Sequence, residues 1–200
     1  MLKKEKTKLS KSNMVGLAPM DGITDAAFRK IVDFYGHPDC LFTEFVNVDG
    51  LNVGKIGIYY HLLYHKTATP IYAQLFGCRP EYFYTAAVIL CELGFAGVDL
   101  NMGCPDKNVV RKGGGAGLIK NPVLAKTIIK TVKRAVRDWH NGKTLNSLGL
   151  RQEIIDWIVA FQLKIGIKPE RKILPVSVKT RIGYEQVATH DWISCLLETE

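Results

Sequence analysis

Short apolar runs of strand length alternate with stretches of helical periodicity, and that alternation limits the chain to a few folds. Runs at 14–18, 41–46, 71–76, 98–102 and 174–180 read as strands. After the first, Thr24 or Asp25 caps a helix whose apolar stripe is Phe28, Ile31, Val32 and Tyr35, ended by Gly36. Pro80 stands where a second helix begins, with Phe83, Ala87 and Leu90 leading to Gly94. Asn121 and Pro122 open a third, which turns Ile128, Ile129, Val132 and Val136 inward. The segment from about Gln186 is again helical. Such alternation gives an α/β fold, either a parallel sheet or a (β/α) barrel. The stretch 138–171 exceeds an ordinary helix-to-strand link; Ile154, Ile158, Phe161 and Ile165, with Trp157 nearby, mark an inserted helix before the fifth strand.

With 47% hydrophobic and 23% charged residues, the 200-residue chain is neither disordered, collagen-like nor a disulfide miniprotein. No apolar run approaches the ~18–20 residues that cross a bilayer. Residues 1–13 are charged with no apolar core behind them, which reads as a basic flexible tail rather than a secretory signal, and a cytoplasmic location is expected. The cysteines, Cys40, Cys78, Cys91, Cys104 and Cys195, show no CxxC spacing, so neither a disulfide framework nor a zinc ribbon is expected, and no metal site. Net charge is +8, and the nine basic residues from Lys107 to Arg137 are interrupted by no acidic one. Lys126, Lys130, Lys133 and Arg137 share a helical face, which is either a polyanion-binding surface or a solvated flank.

Polar groups interrupt the apolar runs at their ends: Glu44 and Asn47, Gln74, Asp99 and Asn101, then Lys179 and Arg181. Strands of a parallel barrel are buried on both faces, and the ligand site lies at their carboxyl ends, so these groups converge on one mouth. An internal ion pair such as Glu44 with Lys179 is the structural alternative. Cys104 follows the fourth run in a loop at the same mouth, where a thiol acts as nucleophile when ionised or proton donor when neutral. No histidine lies near it in sequence, which favours the donor role. The glycine run 113–117 fits neither GxxxxGK[ST] nor GxGxxG, and serves a tight turn or a close backbone approach.

Several segments together resemble the tRNA-dihydrouridine synthase family. They are Leu17-Ala18-Pro19-Met20-Asp21-Gly22-Ile23-Thr24-Asp25 with Phe28-Arg29, Thr43-Glu44, Ala73-Gln74-Leu75, Asp99-Leu100-Asn101-Met102-Gly103-Cys104-Pro105, the stretch 113–118, and Val178-Lys179-Thr180-Arg181-Ile182-Gly183. The resemblance implies a flavin-dependent oxidoreductase on a (β/α)8 TIM barrel, followed by a helical tRNA-binding domain. Such an enzyme reduces the C5=C6 bond of particular uridines in tRNA with FMN, and NADPH is the electron donor. It implies that Pro19 and Met20 contact the flavin through their backbone, that Gln74 and Lys179 hydrogen-bond its ring, and that Asn101 and Arg181 lie near flavin and uracil. Cys104 is then the general acid that protonates C5 after hydride reaches C6. Lys107, Arg111, Lys112, Lys126, Lys130, Lys133 and Arg137 form the matching tRNA surface.

About five of eight β/α units are present, where a whole barrel takes ~250 residues. Residues 14–200 therefore read as a partial FMN-binding barrel domain, a fragment without the helical domain. Two other readings are an FMN-barrel reductase of a free pyrimidine, of the dihydroorotate dehydrogenase kind, and a non-catalytic RNA-binding remnant.

Overall fold

The apolar runs form five parallel strands hydrogen-bonded in chain order: β1 (Gly16–Leu17), β2 (Cys40–Asn47), β3 (Ile71–Phe76), β4 (Gly97–Met102) and β5 (Val176–Thr180). The structure is a computed structural model that describes residues 14–199, so the tail expected at 1–13 lies outside the described residues. The five strands curl into a half-barrel, a partial TIM barrel. The first run keeps only its middle as strand, and the fifth starts at Val176 because Pro175 lacks the N–H a ladder needs.

Register sorts the side chains onto two faces. Tyr72 pairs with Gly97, Gln74 with Asp99, Asp99 with Ser177 and Asn101 with Lys179, all on the concave face. Ala73, Leu75, Val98, Leu100 and Met102 point the other way and are essentially fully buried. That convex face packs into the core with helices α4 and α6.

The helices, in chain order, are α1 (Ala26–Gly36), α2 (Val48–Val53), α3 (Ile56–Tyr59), α4 (Pro80–Glu92), α5 (Lys107–Arg111), α6 (Pro122–His140), α7 (Gln152–Ile165) and α8 (Thr189–Leu197). Their starts follow local chemistry. Asp25 Oδ1 accepts the Phe28 N–H at 2.7 Å, Asn121 Oδ1 accepts the Leu124 N–H at 3.1 Å, and α4 and α6 both begin with proline.

Not all of the α1 stripe is buried. Val32 packs on the core, but Ile31 and Tyr35 are 58% and 78% exposed, because α1 follows the strand at which the sheet ends. Within 138–171 the chain forms a short 3-10 turn and then α7, which buries Ile154, Ile158 and Phe161. Trp157 stacks on Phe161 at 5.6 Å and meets Tyr59 edge-on at 5.4 Å. Gln162 donates to the Glu92 carbonyl at 2.5 Å.

Close packing on the concave face gives a direct check. A methyl at Gly97 would lie 2.5 Å from the Tyr72 ring, which is held against Phe42, and 2.9 Å from the Pro175 carbonyl. Gly97→Ala is expected to cost about 1–3 kcal/mol in urea unfolding. Gly57→Ala, whose methyl meets nothing within 4 Å, is the control and should be neutral or stabilising. Equal midpoints for both variants would contradict this packing.

Candidate active site

The carboxyl ends of the strands and the loops beyond them enclose a cleft of about 550 Å³. Asp21 comes from the turn after β1, Phe45 and Asn47 from β2, Phe76 from β3, and Cys104 and Asp106 from the loop after β4. His61, in the 3-10 turn after α3, completes one side. Phe45 and Phe76 meet edge to face at 5.0 Å on the wall.

A chain of hydrogen bonds leads from β5 to the Cys104 loop. Ser177 Oγ donates to Asp99 Oδ1 at 2.5 Å, and Gln74 Nε2 donates to Asp99 Oδ2 at 2.5 Å. Asn101 Nδ2 donates to Gln74 Oε1 at 3.0 Å. Asn101 Oδ1 then accepts the N–H groups of Gly103 and Cys104 at 3.1 and 2.9 Å. Gln74, Asp99 and Asn101 are all buried.

The glycine run lies beneath this loop. Ala116 N–H donates to the Cys104 carbonyl at 2.9 Å. Gly115, at φ +55°, leaves room for none but glycine: a Cβ there would sit 2.6 Å from that carbonyl. The close approach is therefore to the protein's own backbone.

The sequence-singled residues fall at different depths. Cys104 lines the cleft; Gln74 and Asn101 hold its loop from below. Lys179 is exposed on β5, in register with Asn101, and Arg181 is exposed just past that strand. Met20 sits in a turn where its carbonyl accepts the N–H groups of Ile23 and Thr24 and its own N–H donates to Thr24 Oγ1, with Pro19 just ahead. Pro19, Met20, Lys179 and Arg181 do not line the cleft itself.

Glu44 does not pair with Lys179. Its Oε1 accepts the Gly22 N–H at 2.8 Å, and its Oε2 meets His61 Nδ1 at 3.1 Å. A bulge in β2 between Phe42 and Phe45 places Glu44 there. Thr43 Oγ1 holds the bulge by donating to the Glu44 carbonyl at 2.7 Å and accepting the Gln74 N–H at 3.1 Å. His61 lies in no motif, and the polar residue Glu44 inside an apolar run is the one signal of it in the sequence.

The basic residues divide. Lys107, Arg111 and Lys112 are exposed on and beside α5, close along the chain to Cys104. On α6, Lys126 pairs with Glu198 at 2.9 Å and Lys133 donates to the Thr199 carbonyl at 2.8 Å. Lys130 and Arg137 remain exposed. Among the described residues no group of His, Cys, Asp and Glu is placed to hold a metal ion, and no helix is long and apolar enough to cross a membrane.

A parallel half-barrel that gathers a loop thiol and a polar network at the carboxyl ends of its strands belongs with the TIM-barrel proteins that bind ligands at that face. The particular lineage comes from comparison. The family model described as dihydrouridine synthase (Dus) matches residues 16–154. A protein named probable tRNA-dihydrouridine synthase 2, from Bacillus subtilis (strain 168), is 33% identical over 187 residues, covering 92% of this chain and 46% of the relative. A probable tRNA-dihydrouridine synthase of Staphylococcus aureus (strain COL) gives the same identity and coverage, and one of Staphylococcus epidermidis (strain ATCC 12228 / FDA PCI 1200) is 32% identical. The chain belongs to the dihydrouridine synthase family, and it spans about half the length of these curated relatives.

Two outcomes follow from the Asp99 network. An ionised carboxylate only accepts hydrogen bonds, so it fixes which end of the Gln74 amide faces it, and through Gln74 the orientation of Asn101. Asp99→Asn removes that constraint and lets the amides reverse. Hydrogen exchange at the Gly103 and Cys104 amides is expected to rise about tenfold or more. Unchanged exchange would show that the loop does not depend on Asp99.

The second outcome concerns pH. Burial pushes the Asp99 carboxyl above its ordinary range, while the Ser177 and Gln74 hydrogen bonds and the Lys179 charge pull it down. The folded protein holds this proton more tightly than the unfolded chain. The resulting stability is full at low pH and is lost as pH rises through the folded value. Urea midpoints of wild type and Asp99→Asn should therefore shift in favour of the variant as pH rises above the ordinary carboxylate range; a shift the other way would contradict the assignment.

Proposed function

We propose that this site serves the reduction of the C5=C6 bond of a uridine in tRNA to dihydrouridine. The remaining barrel units and a helical tRNA-binding domain would correspond to the half of the relatives that the chain does not span. In this reading residues 14–200 are one partial FMN-binding domain and 138–171 an insertion in it. The observation that carries the reading is the position of Cys104. Its residue lines the cleft while its N–H is tied to Asn101 Oδ1 at 2.9 Å, so a thiol is presented from a fixed main chain.

The groups around the cleft suit FMN. Phe45 and Phe76, packed edge to face, give an apolar wall; Lys179 on β5 offers a cation, and Gln74, below the cleft, one amide hydrogen that Asp99 does not use. Pro19 and Met20 would add main-chain contacts from the turn after β1. When bound, FMN would supply hydride for C6, with NADPH as its reductant. Lys179 would hydrogen-bond the flavin ring and set a positive charge against it. Cys104, as a neutral thiol, gives its proton to C5. Asn101 holds the loop that carries the sulfur, and Arg181 offers its guanidinium to the uracil oxygens.

The uridine must leave its stack to reach such a cleft, at a cost of a few kcal/mol. Lys107, Arg111 and Lys112, exposed beside the Cys104 loop, help offset that by taking the neighbouring phosphates. Lys130 and Arg137 extend the surface along α6. Lys126 and Lys133 join it only by giving up their bonds to the Glu198 side chain and the Thr199 carbonyl. A cytoplasmic location belongs to the same reading.

Cys104→Ala in the full-length protein tests the reading. It should keep FMN and NADPH oxidation and lose uridine reduction by about 10²–10⁴-fold. Loss of flavin along with activity would make the thiol structural, and undiminished uridine reduction would overturn its role as acid.

A further inference from the structure

Glu44 and His61 form a pair for which the proposed reaction has no use. Glu44 is 5% exposed, and both of its oxygens are committed, one to the Gly22 N–H and one to His61 Nδ1. The β2 bulge that aims it is itself held by Thr43 on two sides. A carboxylate so fixed keeps a proton on Nδ1 of the imidazole and leaves Nε2 as the nitrogen that exchanges. The His61 side chain is 42% exposed and lines the same cleft as Cys104; no other histidine lines that cleft among the described residues. The other charged groups nearby are Asp21 and Asp106 on the cleft wall and Arg29, which faces Glu44 from α1.

We propose that His61, oriented by Glu44, is a positioning residue that acts through Cys104 by returning a proton to its sulfur. The proposal rests on reading Cys104 as the proton donor. The S–H bond breaks as the C5–H bond forms, which leaves a thiolate. The imidazolium Nε2–H then passes its proton to sulfur and restores the thiol. The neutral imidazole takes a proton from water, while Nδ1–H stays on Glu44. No electrons move in this relay, so no further reactant is needed.

The coupling is readable without turnover. Alkylation of Cys104 by iodoacetamide, followed by mass spectrometry across about pH 5–9, reports the thiolate fraction. In the full-length protein the wild-type profile should carry a second step besides the ionisation of the thiol itself. His61→Gln should remove the second step and slow the acid-side rate about 3–10-fold, the effect of losing one nearby cation. His61→Lys gives Glu44 a permanent cation; it should show no second step and keep the fast acid-side rate. Coincident profiles for the three proteins would overturn the proposal.

Asp21→Asn and Asp106→Asn should leave the step in place; its disappearance in either would move the assignment away from His61. In turnover, His61→Gln should lower kcat for uridine reduction about tenfold or more with the KM for tRNA and flavin reduction by NADPH unchanged. A response of alkylation to His61, together with a Cys104→Ala protein that still reduces uridine, would leave the coupling standing and remove the acid role. An inactive Cys104→Ala with coincident alkylation profiles would do the reverse.

Discussion

One buried carboxylate gives the concave face its direction. Asp99 takes a hydroxyl from β5 and an amide from β3, so three adjacent strands must be in register before it is satisfied. A charge this deep is costly unless every lone pair finds a donor. Once it does, each bond that follows has a forced polarity, through Gln74 and Asn101 to the main chain of the Cys104 loop. Assembly of the strands and arrangement of the loop are thus one event. The barrel layer that is most expensive to bury is also the one that shapes the site.

The convex face works differently. Leu75, Val98, Leu100 and Met102 are interchangeable in kind with the aliphatic side chains they meet, and density rather than direction holds them. The division suits a scaffold in which helices cover the outside and chemistry sits inside the ends of the strands. It also leaves distinct signs at the two ends of the sheet, where β1 and β5 each have a single strand neighbour and α1 keeps apolar side chains in solvent.

Much of this was legible in the sequence. Strand runs, proline-led helix starts and the Asp25 cap are local signals, and the structure places them within a few residues of where periodicity puts them. Polar residues inside apolar runs pointed to Gln74, Asp99 and Asn101, since a strand buried on both faces rarely carries them idly. What was not legible depends on distance through space. His61 and Glu44 are brought together by a turn and a bulge, neither of which leaves a period. The commitment of Lys126 and Lys133 to Glu198 and Thr199, just past α8, is equally invisible, because a run of lysines reads the same whether free or paired. The exposure of Ile31 and Tyr35 follows from where the sheet ends, which a helical stripe does not record.

The bulge in β2 has a consequence for how the chain tolerates change. Beyond it Val46 faces the core beside Leu75, while Phe45 and Asn47 face the cleft, and an unbroken pleat would reverse all three. The interior and the cleft are therefore kept apart by parity. Loss of a single codon at Thr43 or Glu44 would close the bulge and leave Val46 in the aliphatic layer with Phe45 and Asn47 toward the cleft, whereas one more codon there would turn all three over without altering another letter.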